Sequence, residues 1–437
     1  MDQPYWIYED YFIFKPHFNG PVDDYIEIIN QYNKLIFSDF DNFNSCVKII
    51  KKETYRGTRI GSIFNQKLYS VYNKLVNLTE IDFGWDFNQP LADGFVQLTN
   101  LRSLTFGYSF NKPLDNSLDP LINLNQITFG ESFNKPLSNS FKYLQNLTII
   151  NFGTNFSQPL SNSLDPLINL THLTFGSEFN VPLANSLDKL INLTQITFGY
   201  NFSQPLSNSL DCLTNLTKIK FACNFNKRLE KSLFQLKNLT VIIFGYKFNK
   251  PLSNSFDQST NLTKINFGYN FNQSLDNSLD KLIKLTHITF GNKFNTQLGN
   301  SLDKLINLTH ITFGNKFNQP LSNSLCCLIN LEYLELGSEF NQELYLHPNI
   351  KNLTLNCNNQ NLIDNLPNSI EQLNLNSNFN LPLDNLPNSI KKISFNANSY
   401  YDKPLNNLPR SLERLELPSG YKLEIVNIPP SCKIIYL

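Results

Sequence analysis

The sequence predicts a repeat solenoid: one short parallel β-strand per 23-residue unit, with short turns or 3₁₀ segments on the return side. Three observations predict it. Phenylalanine stands at positions 64, 87, 110, 133, 156, 179, 202, 225, 248, 271, 294, 317 and 340, every step being 23 residues. A second pattern runs in phase with the first, as in Leu170-x-x-Leu173-x-Phe175-Gly176 and Leu193-x-x-Ile196-x-Phe198-Gly199. The chain also holds 36 Phe against 1 Met and 2 Trp, a dependence on one aromatic that a single repeated unit explains.

The strand follows from alternation. Ile196 and Phe198 are separated by polar neighbours, which is strand spacing. Gly, Asn and Pro come directly after and supply turn chemistry, so the recurring glycine is read as a strand-end turn glycine. One such strand cannot bury its apolar face alone, but stacked copies cover one another. Phe87, Phe110, Phe133, Phe156, Phe179 and Phe202 are therefore core residues, each contributing roughly 1.5–3 kcal/mol by burial. Ser207–Leu216 returns the chain in too few residues for a long helix. The residue after each core Phe gives a column of Asn88, Asn111, Asn134, Asn180, Asn226, Asn249, Asn272, Asn295 and Asn318. These side chains are expected to turn inward as a ladder, pairing with backbone groups of the same or the adjacent turn. Nine Asn-Leu-Thr triplets occur, eight of them in the 23-residue phase, and read as parts of the repeat rather than glycan sites.

Three regions follow. Residues 64–344 carry the regular repeat. Residues 345–437 carry shorter units of 20 to 22 residues, marked by Leu366–Ile370, Leu386–Ile390 and Leu408–Leu412, and a C-terminal cap. Residues 1–63 are read as degenerate repeats that cap the core, because Phe18-Asn19 and Phe43-Asn44 repeat the corner pair. Within them, Leu35–Phe40 has the character of a strand.

Charge and cysteine content exclude several functions. Thirty-six basic residues balance 36 acidic ones, which argues against nucleic acid and membrane surfaces as partners. No apolar run approaches the ~20 residues of a membrane helix. The opening MDQPYWIYED has neither the basic nor the apolar region of a secretory leader, and a cytoplasmic location is expected. Seven scattered cysteines without a CxxC argue against a disulfide scaffold or a structural zinc site, and no cofactor is expected.

Catalytic constellations are not visible. His287 and His310 share a column but have no carboxylate or Cys partner, and are read as an exposed stack; no metal is expected. Cys326 and Cys327 are read as core filling, and Asp119, Asp165, Asp188 and Asp211 as solvated turn positions. The unbroken repeat is read as leaving no irregular insertion from which to build a pocket, so no enzyme is expected.

One stretch of surface stands out. Lys218, Lys220 and Lys264 fall on outward strand positions, with Ile243 among them. Tyr246, Tyr269, Trp85 and Tyr108 occupy the position after the strand-end Gly. Aromatics beside lysines suit the docking of a protein, or of an acidic or phosphorylated peptide. The alternative is that the aromatics cap the sheet edge while the lysines keep it soluble.

The tail Leu-x-x-Ile-x-Phe-Gly resembles the strand signature of leucine-rich repeats. Phe87-Asn88-Gln89-Pro90-Leu91 and its successors resemble the FNIP repeat, a leucine-rich-repeat relative found in amoebae and their giant viruses. The resemblance implies a non-enzymatic protein-interaction scaffold, monomeric, with an unidentified protein partner, placed in the host cytoplasm if the chain is viral. Some members of that family carry an F-box. The second expectation is therefore a substrate-recognition subunit of a ubiquitin ligase, which would need three packed helices within residues 1–63.

Overall fold

The computed structural model describes residues 3–53, 59–67, 74–321, 324–376 and 379–437. The chain divides into two compact units, Met1–Ala222 and Cys223–Leu437. The first contains β1 (Tyr5–Tyr8), β2 (Tyr11–Phe14), β3 (Lys34–Phe37), β4 (Glu80–Asp82), β5 (Ser103–Thr105), β6 (Gln126–Thr128), β7 (Ile149–Asn151), β8 (His172–Thr174), β9 (Gln195–Thr197) and β10 (Lys218–Lys220). β1 and β2 form an antiparallel hairpin, and from β2 to β10 each strand pairs in parallel with the next.

The second unit contains β11 (Val241–Ile243), β12 (Lys264–Asn266), β13 (His287–Thr289), β14 (His310–Thr312), β15 (Tyr333–Leu336), β16 (Asn352–Leu355), β17 (Gln372–Leu375), β18 (Lys392–Phe395), β19 (Arg414–Leu417) and β20 (Lys433–Tyr436). All pair in parallel with their neighbours in order. Each unit is a parallel β-solenoid with one strand per coil, and the short C-terminal coils keep the same pairing to the end of the sequence.

A regular strand is three residues long with only its middle residue buried, as Ile127 in β6. Stability comes from the interior. Phe87, Phe110, Phe133, Phe156, Phe179 and Phe202 are all fully buried. Phe87 and Phe110 stack at 6.0 Å with their planes 5° apart. Phe106, at the strand end, wedges against Phe110 at 4.0 Å and Phe129 at 5.7 Å. The two aromatic columns interlock coil by coil, each contact worth about 0.5–1.5 kcal/mol beyond burial. The return side runs in consecutive short backbone turns. Ser117 N donates to Leu114 O, Leu121 N to Leu118 O and Leu124 N to Leu121 O, at 2.9–3.0 Å.

The strand-end glycines have a different cause from the turn geometry read in the sequence. Gly130 has no left-handed φ; a Cβ placed on it would sit 1.6 Å from the carbonyl oxygen of Gly107 in the coil before. The column is glycine because successive backbones touch there. The left-handed corner lies elsewhere, at Asp115 (φ 44°), Ser138 (φ 47°), Ser161 (φ 46°) and their equivalents, where non-glycine residues hold positive φ.

The N-terminal region departs most from the pattern. Phe18 joins the core, stacking on Phe14 at 3.9 Å and Phe64 at 6.0 Å. Phe43 does not; it opens the helix α2 (Phe43–Ile50) and packs on Trp6 and Tyr8, each at 6.1 Å. The reason is an insertion. Phe83 and Phe87 are four residues apart in a regular coil, whereas their equivalents Phe37 and Phe64, stacked at 3.9 Å, are 27 apart. The excess, 27 − 4 = 23, equals one repeat, so the phase runs on undisturbed and conceals the extra segment. The absence of insertions read from the sequence is thus corrected. Among the described residues of 1–63, three strands accompany a 3₁₀ turn at Val22–Tyr25, the single-turn α1 (Ile26–Ile29) and the eight-residue α2. Three packed helices, as an F-box requires, are not formed by them. No helix among the described residues is long and apolar enough to cross a membrane.

Candidate functional site

The outward strand positions form an open face in each unit, because the inward positions are consumed by the core. In the first unit, Lys218 is half-buried and Lys220 exposed, both on β10. Trp85 and Tyr108 stack face to face at 4.5 Å with planes 4° apart. In the second unit, Tyr246 and Tyr269 repeat that stack at 4.5 Å and 9°. Both remain open to solvent, Tyr246 at 49% and Tyr269 at 37% exposure. Lys293 Nζ stands 6.0 Å over the Tyr269 ring. Lys264 is exposed and registers with Val241, whereas Ile243 is half-buried and registers with Asn266. The lysine and the isoleucine therefore occupy different columns, and the strongest cluster in this unit is the tyrosine pair.

The asparagine column makes a ladder between adjacent coils. The Oδ1 of Asn88 accepts from Asn111 N, that of Asn111 from Asn134 N and that of Asn134 from Ser157 N, at 2.9–3.0 Å. Asn180 accepts from Ser203 N at 2.9 Å. In the second unit, Asn226, Asn249, Asn272, Asn295 and Asn318 each accept from the backbone N–H 23 residues on, at 2.8–3.0 Å. These residues are half-buried or exposed, so the ladder runs along the corner of the coils rather than inside them. The sequence concealed a second ladder in the Asn-Leu-Thr triplets. Asn169 Nδ2 donates to Gln145 O at 2.9 Å and Asn192 Nδ2 to Ile168 O at 2.9 Å.

His287 and His310 stack at 4.2 Å with planes 12° apart. Thr286 Oγ1 spends its proton on Thr263 O at 3.0 Å, so at 2.8 Å it accepts from His287 Nδ1–H. Thr309 does the same for His310. Burial, then His310, then Lys264 push His287 below the usual histidine range, which favours the neutral ring. The two rings stack nearly parallel rather than converging on a common point. Cys326 and Cys327 are exposed, which corrects their reading as core filling.

The inserted segment brings Asp39 to the same cavity as Asp82 of β4. Asp39 accepts from the backbone N–H groups of Ser62 and Trp85, both at 2.9 Å. Asp82, on an outward position of β4, is raised to about 8, first by burial and then by the charges of Asp39 and Glu80. The sequence signal for this site was the step from Phe37 to Phe64, hidden by its length of one repeat plus four.

Comparison with known proteins gives a consistent picture. A family model described as the BspA type leucine rich repeat region matches residues 69–186, 183–281 and 227–354. The FNIP repeat model matches 358–398 and 379–420, the shorter C-terminal coils. Among the curated proteins, none matches the chain. Among solved structures, CroV588, a circular leucine-rich-repeat protein of a giant virus, is 28% identical, with TM-score 0.70 over 99% of this chain and 67% of that one. The Drosophila Toll–Spätzle complex (17% identical, TM-score 0.60, 80% of this chain and 52% of that one) has the same fold. So does internalin InlF of Listeria monocytogenes (18% identical, TM-score 0.51, 64% of this chain and 80% of that one).

Proposed function

The chain belongs to the BspA-type leucine-rich repeat family, and from that premise we propose that it is a non-enzymatic scaffold that holds a partner protein on its outward strand face. The observation that carries the reading is the exposed, stacked Tyr246–Tyr269 pair on a rigid edge of the sheet. Large aromatics fixed by stacking offer contact area with little entropy left to lose on binding. Lys264, exposed on β12, and Lys293, over the Tyr269 ring, add positive charge that steers an acidic partner surface, and Lys218 and Lys220 on β10 do so in the first unit. Toll, which shares the fold, is captured with a protein ligand, Spätzle.

The test is retention of partner protein on the immobilised full chain. Lys264→Glu combined with Tyr246→Ala is expected to reduce the amount retained from native cells at least tenfold. Asp280→Ala combined with Asn277→Ala, on the return side, is expected to leave it unchanged. Equal retention by both pairs would contradict the reading.

A further inference from the structure

The inserted segment does more than interrupt the repeat. It encloses a cavity of about 310 Å³ on the outward face of the first unit. That volume is at the lower end of the roughly 300–1,000 Å³ of small-ligand sites, about what one long side chain needs. Its apolar wall is α2, through Cys46, Ile49 and Ile50. Its aromatic wall is the Trp85–Tyr108 stack. Three carboxylates, Asp39, Asp82 and Glu131, line it against a single guanidinium, that of Arg59, which leans on the Phe40 ring at 5.6 Å.

The carboxylates are not equivalent. Asp39 is occupied, holding the root of the insertion to the Ser62 and Trp85 amides. Glu131 is exposed, at the rim. Asp82 is half-buried, its charge opposed by Asp39 and Glu80 and only partly offset by Arg59, and among the described residues no hydrogen bond or ion pair reaches it. Three acidic groups against the one guanidinium of Arg59 leave the cavity short of positive charge, and its aliphatic and aromatic walls suit a second cation on an aliphatic stem. Ammonium and guanidinium groups meet all three surfaces, since the stem packs on Ile49 and Ile50, the charge lies beside the Trp85–Tyr108 wall, and its arrival draws Asp82 into the carboxylate form that accepts its protons.

We infer that this cavity receives a lysine or arginine side chain from the partner protein. The inference rests on the scaffold reading and adds to it an anchor point in the first unit.

The probe is Nα-acetyl-lysine methylamide, with the norleucine analogue as its uncharged counterpart. The chain has 2 Trp, so Trp6→Phe leaves Trp85 as the only reporter. Titrating that full-length protein is expected to give a saturable change in Trp85 emission with the lysine amide. The norleucine amide is expected to bind at least tenfold more weakly. Asp82→Asn, a change of one atom, should weaken the lysine amide by a similar factor with the circular dichroism spectrum unchanged, and Tyr108→Ala should weaken it further. Equal binding of the two amides would mark a plain apolar site and overturn the inference, as would unaltered lysine binding by Asp82→Asn or no saturable response at all. Each of those results leaves retention of the partner through Tyr246 and Lys264 intact, whereas failure of the scaffold reading removes that retention first.

Discussion

A single methyl group at Gly130 tests the closeness of the coils. A Cβ there would lie 1.6 Å from Gly107 O and 2.4 Å from Gly107 C. Real Cβ atoms stay beyond 3.0 Å, so the two backbones must part by at least 3.0 − 1.6 = 1.4 Å. Two hydrogen bonds bridge these coils beside the contact, Phe106 N to Thr128 O at 2.8 Å and Ser132 N to Tyr108 O at 2.9 Å. Lengthened by that amount they exceed 4 Å and cease to be hydrogen bonds. Two lost bonds at about 1 kcal/mol each, with loosened packing of the interlocked Phe106, Phe129 and Phe133 rings, give a cost of about 3 kcal/mol for Gly130→Ala. The assay is the urea midpoint followed by circular dichroism. Gly299→Ala is the control. It has φ +52° and nothing within 4 Å of the added Cβ. Its cost is confined to backbone strain of about 1 kcal/mol. A Gly130→Ala midpoint equal to that of the unaltered chain, or a larger loss at Gly299, would refute the contact argument.

Two further changes probe the corner ladder and the half-buried Asp82. Asn134→Ala removes the acceptor of Ser157 N and of Gln158 Nε2. Because water reaches this half-buried corner, the expected loss in a thermal melt is about 1 kcal/mol, while Asn134→Asp, which keeps the acceptor, stays near the original midpoint. An Asp variant as unstable as the Ala variant would contradict the bonding scheme. For Asp82, the folded chain holds its proton up to about pH 8, against 3.8 for the free group. The folded state therefore binds more protons in that window, and its stability falls as pH rises through it and levels off above. Asp82→Asn should lack this component and gain on the unaltered chain by about 2 kcal/mol between pH 5 and pH 9, after allowance for solvent screening. Parallel urea-midpoint profiles for the two proteins would contradict it.

Much of the architecture was legible because the repeat is strict. Phe87 and its equivalents, Ile196 and Phe198, and the turn residues after them all act locally, and each coil meets only near-copies of itself. What lay outside this logic was less legible. The glycine column looked like turn chemistry because glycine serves both turns and close approaches, and only coordinates separate Gly130 from Gly299. The left-handed corner at Ser138 carries no glycine to announce it. The α2 insertion escaped notice because its 23 extra residues preserve the phase. For the surface residues, the sequence supplied the columns but not the heights. Tyr246 and Tyr269 were found together, while Ile243 is half-covered and set in a different column from Lys264. Asp82 shares a cavity with α2, a helix that no repeat position encodes.

The most direct test of the scaffold reading is site-specific photocrosslinking. A benzophenone side chain would replace Thr289, on the outward face of β13, or Asn277, exposed on the return side. Illumination in native cells is expected to yield a discrete crosslinked protein from position 289 and none from 277. Crosslinking from 277 alone would place the partner on the opposite side of the coils and contradict the account.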